Sequence, residues 1–300
     1  MTTTRTRNPA ARRAEGRVTP AGRPRRALTA LVLTGGALAL AGCAKDALPA
    51  ATTAATSAGS TAAASVGDAR LVRPGTLLTC THTAFKPFEY PEGDKIVGFD
   101  IDIADLVATK VNAKVEVVDI PFDQITSGAA FAAKRCDIGA AAITMNDKRR
   151  TVLAFSDSYF ESTQALLVKQ GAPYQDLAAL KGKKLAVQTD TTGQEYAEKN
   201  KSANGYTTVV FEDSTSVSNA VLSGAVDAAL NDNAVMLYFA KMNPTTQVVT
   251  EIKTEEQYGI AVAKDNPGLL AAVNETLTAA KADGSYATLY QKYFGVAPKS

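Results

Sequence analysis

The stretch that decides the fold is Asp137-Ile-Gly-Ala-Ala-Ala-Ile-Thr-Met-Asn-Asp-Lys-Arg149. Six small or apolar residues follow Asp137, which predicts a buried strand over Asp137–Ala142. Its alanines bring the backbone close to whatever sits at the strand end. Thr144 adds a hydroxyl, Asn146 or Asp147 is the expected helix N-cap, and Arg149 lies in the first turn of the helix. A strand end, backbone N–H groups, a hydroxyl and a guanidinium together make a site for a small carboxylate. A helix start favours negative charge, and arginine grips a carboxylate with two parallel hydrogen bonds. No nucleophile, general base or metal cluster accompanies them, so neither a catalytic residue nor a metal or cofactor is expected.

Outward from this segment, strand-like and helical runs alternate along the chain. Strands are predicted at Thr76–Thr81, Lys114–Asp119, Lys184–Gln188, Thr207–Phe211 and Asp227–Leu230. Helical periodicity covers Asp100–Val111, Asp123–Lys134, Thr192–Asn200, Ser216–Ser223, Asp232–Lys241 and Pro267–Lys281, and Ser285–Phe294 closes the chain. The alternation predicts an α/β fold with largely parallel sheets, whose ligands collect at the carboxyl ends of the strands. There are two αβ series, and the terminal helices have no third sheet to cover. Two lobes with a tail returning to the first is the economical layout, joined by a two-strand hinge at Gln164–Lys169 and Gln257–Lys264. The expected division is residues 69–164 with 260–300 in lobe 1 and 165–259 in lobe 2.

The amino terminus reads as an export signal. Residues 1–26 carry eight arginines, no lysine and one acid, Glu15, before an apolar run from Ala27 to Ala41. This is too short a run for a spanning helix. Leu40-Ala41-Gly42-Cys43 resembles a bacterial lipobox, which makes Cys43 the expected lipidated residue and residues 1–42 the signal peptide. Arg25-Arg26 leaves a twin-arginine route open beside the general one. Residues 43–68 are mostly Ala, Thr, Ser and Gly and are expected to form a flexible tether, with a reach of roughly 25–30 Å. Removing residues 1–42 takes away eight arginines and Glu15, which changes the formal charge from +2 to −5. No basic patch with interleaved aromatics is present, which excludes nucleic acid as an expected partner. The expected location is extracytoplasmic, with the chain lipid-anchored to the outer face of the cell membrane and otherwise monomeric. In an exported chain, Cys80 and Cys136 are candidates for a disulfide, with two buried thiols as the alternative reading.

The residues also carry a family pattern. Thr81-His-Thr-Ala-Phe-Lys-Pro-Phe-Glu89, Val97-Gly-Phe-Asp-Ile-Asp102, Ile143-Thr-Met-Asn-Asp-Lys-Arg149 and Phe155-Ser-Asp-Ser-Tyr-Phe160 form its first half. Asp227-Ala-Ala-Leu-Asn-Asp232, Gln257-Tyr-Gly-Ile260, Ala282-Asp-Gly-Ser-Tyr286 and Tyr293-Phe-Gly295 complete it. Each motif is weak alone, but eight in order are not chance. Together they resemble the bacterial extracellular solute-binding proteins of family 3, which supply polar amino acids to ABC transporters, and within them the glutamine-binding members. The resemblance implies a type II periplasmic-binding-protein fold, two lobes closing on a free polar L-amino acid. It also implies a permease and its ATPase as partners.

The resemblance implies roles residue by residue. Arg149 would bind the ligand's α-carboxylate, helped by Thr144, the backbone at Ala142 and, from the second lobe, Thr192. Asp232 would bind the α-ammonium. Phe85 and Phe122 would be walls around the aliphatic stem, with Phe88 left in the core. His82, Gln188 and Asn231 would face the ligand's side chain. The family often has an aspartate where this chain has His82, the chain's single histidine. A charged imidazole there would disfavour lysine and arginine, so glutamine, glutamate or asparagine is the expected class. Two other readings share the fold: a sensing domain that reports amino acids to a signalling partner, and a cyclohexadienyl-dehydratase-like enzyme.

Overall fold

The computed structural model describes residues 66–298. The expected signal peptide, Cys43 and nearly all of the tether lie outside the described residues.

The first αβ series runs β1 (Thr76–Thr81), β2 (Tyr90–Glu92), β3 (Lys95–Val97), α1 (Phe99–Lys110), β4 (Lys114–Asp119), α2 (Phe122–Thr126) and α3 (Ala129–Ala132). It continues through β5 (Ile138–Gly139), the single turn α4 (Asp147–Arg150) and β6 (Leu153–Phe155). The second comprises β7 (Phe160–Lys169), β8 (Lys184–Gln188), α5 (Thr192–Asn204), β9 (Thr207–Phe211), α6 (Ser214–Ser223), β10 (Ala228–Asp232), α7 (Asn233–Met242) and β11 (Thr246–Tyr258). After it come β12 (Ala261–Ala263), α8 (Pro267–Asp283) and α9 (Ser285–Phe294).

Two five-stranded sheets result, in the orders β4-β1-β5-β12-β6 and β11-β7-β10-β8-β9. Each is mixed rather than largely parallel. β1 is parallel to β4 and β5, whereas β12 runs antiparallel to β5 and β6. In the second sheet β8 is parallel to β9 and β10, and β7 is antiparallel to β10 and β11. The returning chain inserts β12 into the first sheet, and α8 and α9 pack on it: Leu269, Val273, Leu277 and Tyr286 share a core with Leu77, Phe99 and Ile103. Cys80, Ile125, Phe131 and Ile143 fill a second cluster of that lobe, while Leu166, Leu185, Val217 and Val221 belong to the clusters of the second sheet. The chain crosses between lobes twice, before β7 and after β11. These two strands pair antiparallel from Phe160 with Tyr258 to Lys169 with Thr246, with register shifts between Val248 and Thr250 and between Ile252 and Glu256.

Three predicted elements differ. The expected strand Asp137–Ala142 is reduced to Ile138–Gly139. Asp137 instead turns its carboxylate onto the N–H groups of Val72 (2.7 Å) and Leu78 (2.8 Å), and Ala142 leaves the ladder in a left-handed conformation at φ 47°. The expected helix Asp123–Lys134 breaks at Gly128, φ 77°, into two short helices. The hinge strand β11 extends back to Thr246, well before the expected Gln257. Gly98 shows why that motif needs glycine: at φ 143°, a Cβ there would lie 2.0 Å from the carbonyl oxygen of Phe88.

Cys80 and Cys136 are joined in a disulfide, with their Cα atoms 5.5 Å apart. Cys80 pairs with Gly139, and the turn around Asp137 brings Cys136 back beside it. A crosslink closing 56 residues removes chain entropy worth about 4 kcal/mol from the unfolded state.

Candidate functional site

A cavity lies where the carboxyl ends of the strands of both sheets meet. The loop after β1 supplies His82, Phe85 and Glu89; Phe122 opens the helix after β4; Ala141, Ala142, Thr144 and Arg149 follow β5. From the second lobe come Gln188 at the end of β8, Thr191 and Thr192 at the start of α5, and Asp232 at the end of β10. Nine of the ten residues expected to contact a ligand therefore line one cavity. Asn231 stands behind it, donating to Gln188 Oε1 at 3.3 Å and Ser214 Oγ at 3.2 Å.

Arg149 is 5 % exposed and anchors the floor. Asn146 caps its turn by accepting from the Arg149 N–H at 2.8 Å. Nη1 donates to the carbonyl of Thr144 at 2.8 Å and Nη2 to the carbonyl of Asp190, in the second lobe, at 2.9 Å. Two of five donors are thus used and three remain. The guanidinium carbon lies 5.2 Å from the Phe122 ring centroid. Burial lowers its pKa, against the pull of Asp190, Glu195, Asp232 and Glu256, and arginine remains charged.

Several expected donors are already committed. The Ala142 N–H donates to Asp100 Oδ2 at 2.7 Å, so it does not face the cavity as a free donor. The hydroxyls of Thr144 and Thr192 both donate to Glu256 Oε2, at 2.8 and 2.7 Å. One hinge carboxylate thus gathers a threonine from each side of the cleft, and these protons reach a bound carboxylate only by leaving Glu256. Gln164 Nε2 bridges Glu256 Oε1 (3.0 Å) and Asp232. Gly193 allows this, since a Cβ there would sit 2.6 Å from Gln164 Oε1. Tyr258 donates its hydroxyl to Asp232. Burial first, then the charge of Glu256, pushes Asp232 up to about 7.

Glu89 lies in a quoted motif but was not singled out as a site residue. It is 1 % exposed, lines the cavity, and its Oε2 has no hydrogen-bond partner. Burial, reinforced by Asp100, Asp119 and Asp232, holds its pKa well above the usual carboxylate range. Glu89 therefore holds its proton more readily than an ordinary carboxyl, and when protonated it is a donor. His82 lines the cavity too, but both its ring nitrogens meet backbone carbonyls: Nδ1 that of Ile120 at 2.9 Å and Nε2 that of Glu212 at 3.2 Å. Its polar atoms are therefore not free to hydrogen-bond a ligand side chain. Glu256 is not among the residues expected at the site. Alternation along β11, which buries Glu256 and Tyr258 but not Gln257, is the signal that finds it.

The lobes touch at the cleft mouth. Lys148 meets Asp190 at 3.4 Å and Glu195 at 3.1 Å, Thr126 donates to Asp190, and Thr215 donates to the carbonyl of Ala84 at 3.3 Å. A molecule in the cavity is enclosed from both sides. Among the described residues no cluster of His, Cys, Asp and Glu is arranged to hold a metal ion.

Residues 77–296 match the model of the family described as bacterial extracellular solute-binding proteins, family 3. An ABC transporter glutamine-binding protein of Bacillus subtilis is 34% identical over 218 residues, 71% of this chain and 78% of its own. An ancestral arginine-binding protein solved with arginine superposes with a TM-score of 0.70 at 38% identity, covering 74% of this chain and 99% of its own. An ancestral amino acid-binding protein, a precursor of cyclohexadienyl dehydratase, gives 0.66 at 33% identity, covering 73% of this chain and 95% of its own.

Proposed function

Because the chain belongs to the bacterial extracellular solute-binding proteins of family 3, we propose that it captures a free polar L-amino acid between its lobes and delivers it to an ABC importer. The observation that carries this is one buried cation on lobe 1, Arg149 with three spare donors, sharing a cavity with one buried acid on lobe 2, Asp232. That is the charge pair an α-carboxylate and α-ammonium require, and the walls Phe85 and Phe122 suit an aliphatic stem. The spare acid, Glu89, sets the side chain. A neutral Glu89 donates to an amide oxygen, and an ionised one accepts from an amide or a guanidinium. Glutamine, asparagine and arginine fit; glutamate would bring a third carboxyl to Glu89 and Asp232, and ranks below them.

Calorimetry on the mature domain is expected to show one site for glutamine or arginine, lost when the α-amino or the α-carboxyl group is removed. Binding of sugars or peptides with no amino acid bound would overturn the reading. A protonated Glu89 would also be the acid an eliminating enzyme needs. Aromatic product formed from a cyclohexadienyl substrate, and abolished in Glu89→Gln, would replace binding with catalysis; none is expected. Delivery to a membrane permease fits a lipid tether at Cys43. Cys43→Ser is expected to shift the protein from the membrane fraction to the soluble extracytoplasmic fraction, and an unchanged membrane association would remove the anchor.

A further inference from the structure

His82 sits where the two lobes meet, and both of its partners are acceptors. Ile120 continues β4 of the first sheet, and Glu212 follows β9 of the second. Their carbonyl oxygens lie 2.9 Å from Nδ1 and 3.2 Å from Nε2. A neutral imidazole has one N–H, so it satisfies one carbonyl and turns a lone pair on the other; only the imidazolium donates to both. We propose that His82 is a proton-dependent clamp between the lobes, positioning the cleft in its closed form when the ring is charged and releasing one lobe when it is neutral. Resting on the binding function above, it couples ligand retention to external pH, with acid favouring closure.

The clamp is wired into the cavity wall. The Glu212 carbonyl also accepts from Gln188 Nε2 at 3.4 Å, and Gln188 in turn accepts from Asn231. Other contacts across the cleft mouth use a lysine with two carboxylates, hydroxyls and backbone groups, none of which changes charge near neutrality. Histidine does so between about pH 5 and 8. The charged groups on the elements around the ring are Lys86 and Glu89 on its own loop, Asp119 and Asp123 beside Ile120, Glu212 and Asp213 after β9, Asp190 after β8, and Arg149 and Asp232 across the cavity. Glu89 and Asp232 take up protons as pH falls, and their neutralisation weakens the grip on a cationic group, a trend opposite to the clamp. Comparison with His82→Gln, whose single amide nitrogen cannot span both carbonyls, separates the two.

His82 is the chain's single histidine, so the untagged mature protein gives one imidazole signal in proton NMR. In protein saturated with glutamine the ring is expected to keep its charge to a higher pH than in ligand-free protein. Between pH 8 and 5.5, the affinity of wild type relative to His82→Gln is expected to rise on the order of tenfold, as a hydrogen bond to a charged group implies. A ring that titrates at the same pH with and without bound glutamine overturns the clamp while leaving the binding function intact. If no amino acid binds, the binding function fails, and small-angle scattering on ligand-free protein decides the clamp. Compaction on acidification that His82→Gln lacks supports it, and its absence overturns it.

Discussion

Replacing Arg149 by alanine is expected to weaken amino-acid binding by on the order of 100-fold or more, while replacing Arg150 leaves it nearly unchanged. The two guanidiniums are adjacent in sequence and opposite in environment. Arg149 is buried against Phe122, bridges the Thr144 and Asp190 carbonyls, and keeps three donors in reserve. Arg150 is exposed, near Met145 Sδ at 3.3 Å and over the Phe155 ring at 5.6 Å. Removing Arg149 leaves a desolvated carboxylate without its bidentate partner, which costs on the order of 3 kcal/mol. It also loosens the lobes where Asp190 is held. Arg149→Lys keeps the charge but loses the planar fork, so an intermediate loss is expected. Calorimetry measures the affinities, and thermal melts of the ligand-free variants verify that each folds. Equal losses for Arg149→Ala and Arg150→Ala would mean that the cavity is not where the carboxylate binds.

Much of this architecture was legible because it follows from burial. β1, β4, β8 and β9 have the expected bounds, and each sheet's strand ends deliver the expected residues to one cavity. Mistakes arose where a polar group overrode a pattern. Asp137–Ala142 has the composition of a strand, but Asp137 is taken up by two backbone N–H groups and Ala142 by Asp100. The threonine hydroxyls were assigned to a ligand because residue type gives capacity and not direction; in the fold they face Glu256. Glu89 was passed over because an acid after Pro87-Phe88 looks like a loop residue until Gly98 brings the backbone of α1 against it. No local signal marks a carboxyl that becomes buried through contacts made elsewhere in the chain. His82 lines the cavity, but its partners lie 38 and 130 residues away, beyond any spacing argument.

Glutamine affinity in a His82→Gln background is expected to fall about tenfold per pH unit below 7, reaching roughly 100-fold at pH 5. The cause is Asp232, which burial pushes up to about 7, so at pH 5 an ammonium must displace a proton to bind. Asp100, with only Ala142 and Tyr159 as partners, is also raised to about 7 by burial. The sign for stability follows from the unfolded value of 3.8. A group whose pKa is raised on folding contributes its stability below the unfolded pKa and loses it as pH rises through the folded one. The ligand-free protein is therefore expected to melt at a higher temperature at pH 5 than at pH 8, with roughly 2–3 kcal/mol more stability from each aspartate over that window. Bound ammonium removes the Asp232 share, because it stabilises the ionised form, and leaves the Asp100 share untouched. Ligand should therefore raise the melting temperature more at pH 8 than at pH 5, and Asp232→Asn in the same His82→Gln background should bind weakly with little pH dependence. Glutamine affinity that stays constant from pH 8 to 5 in the His82→Gln protein would show that Asp232 is not the ammonium's partner. The charge pair on which the binding function rests would then have lost its second half.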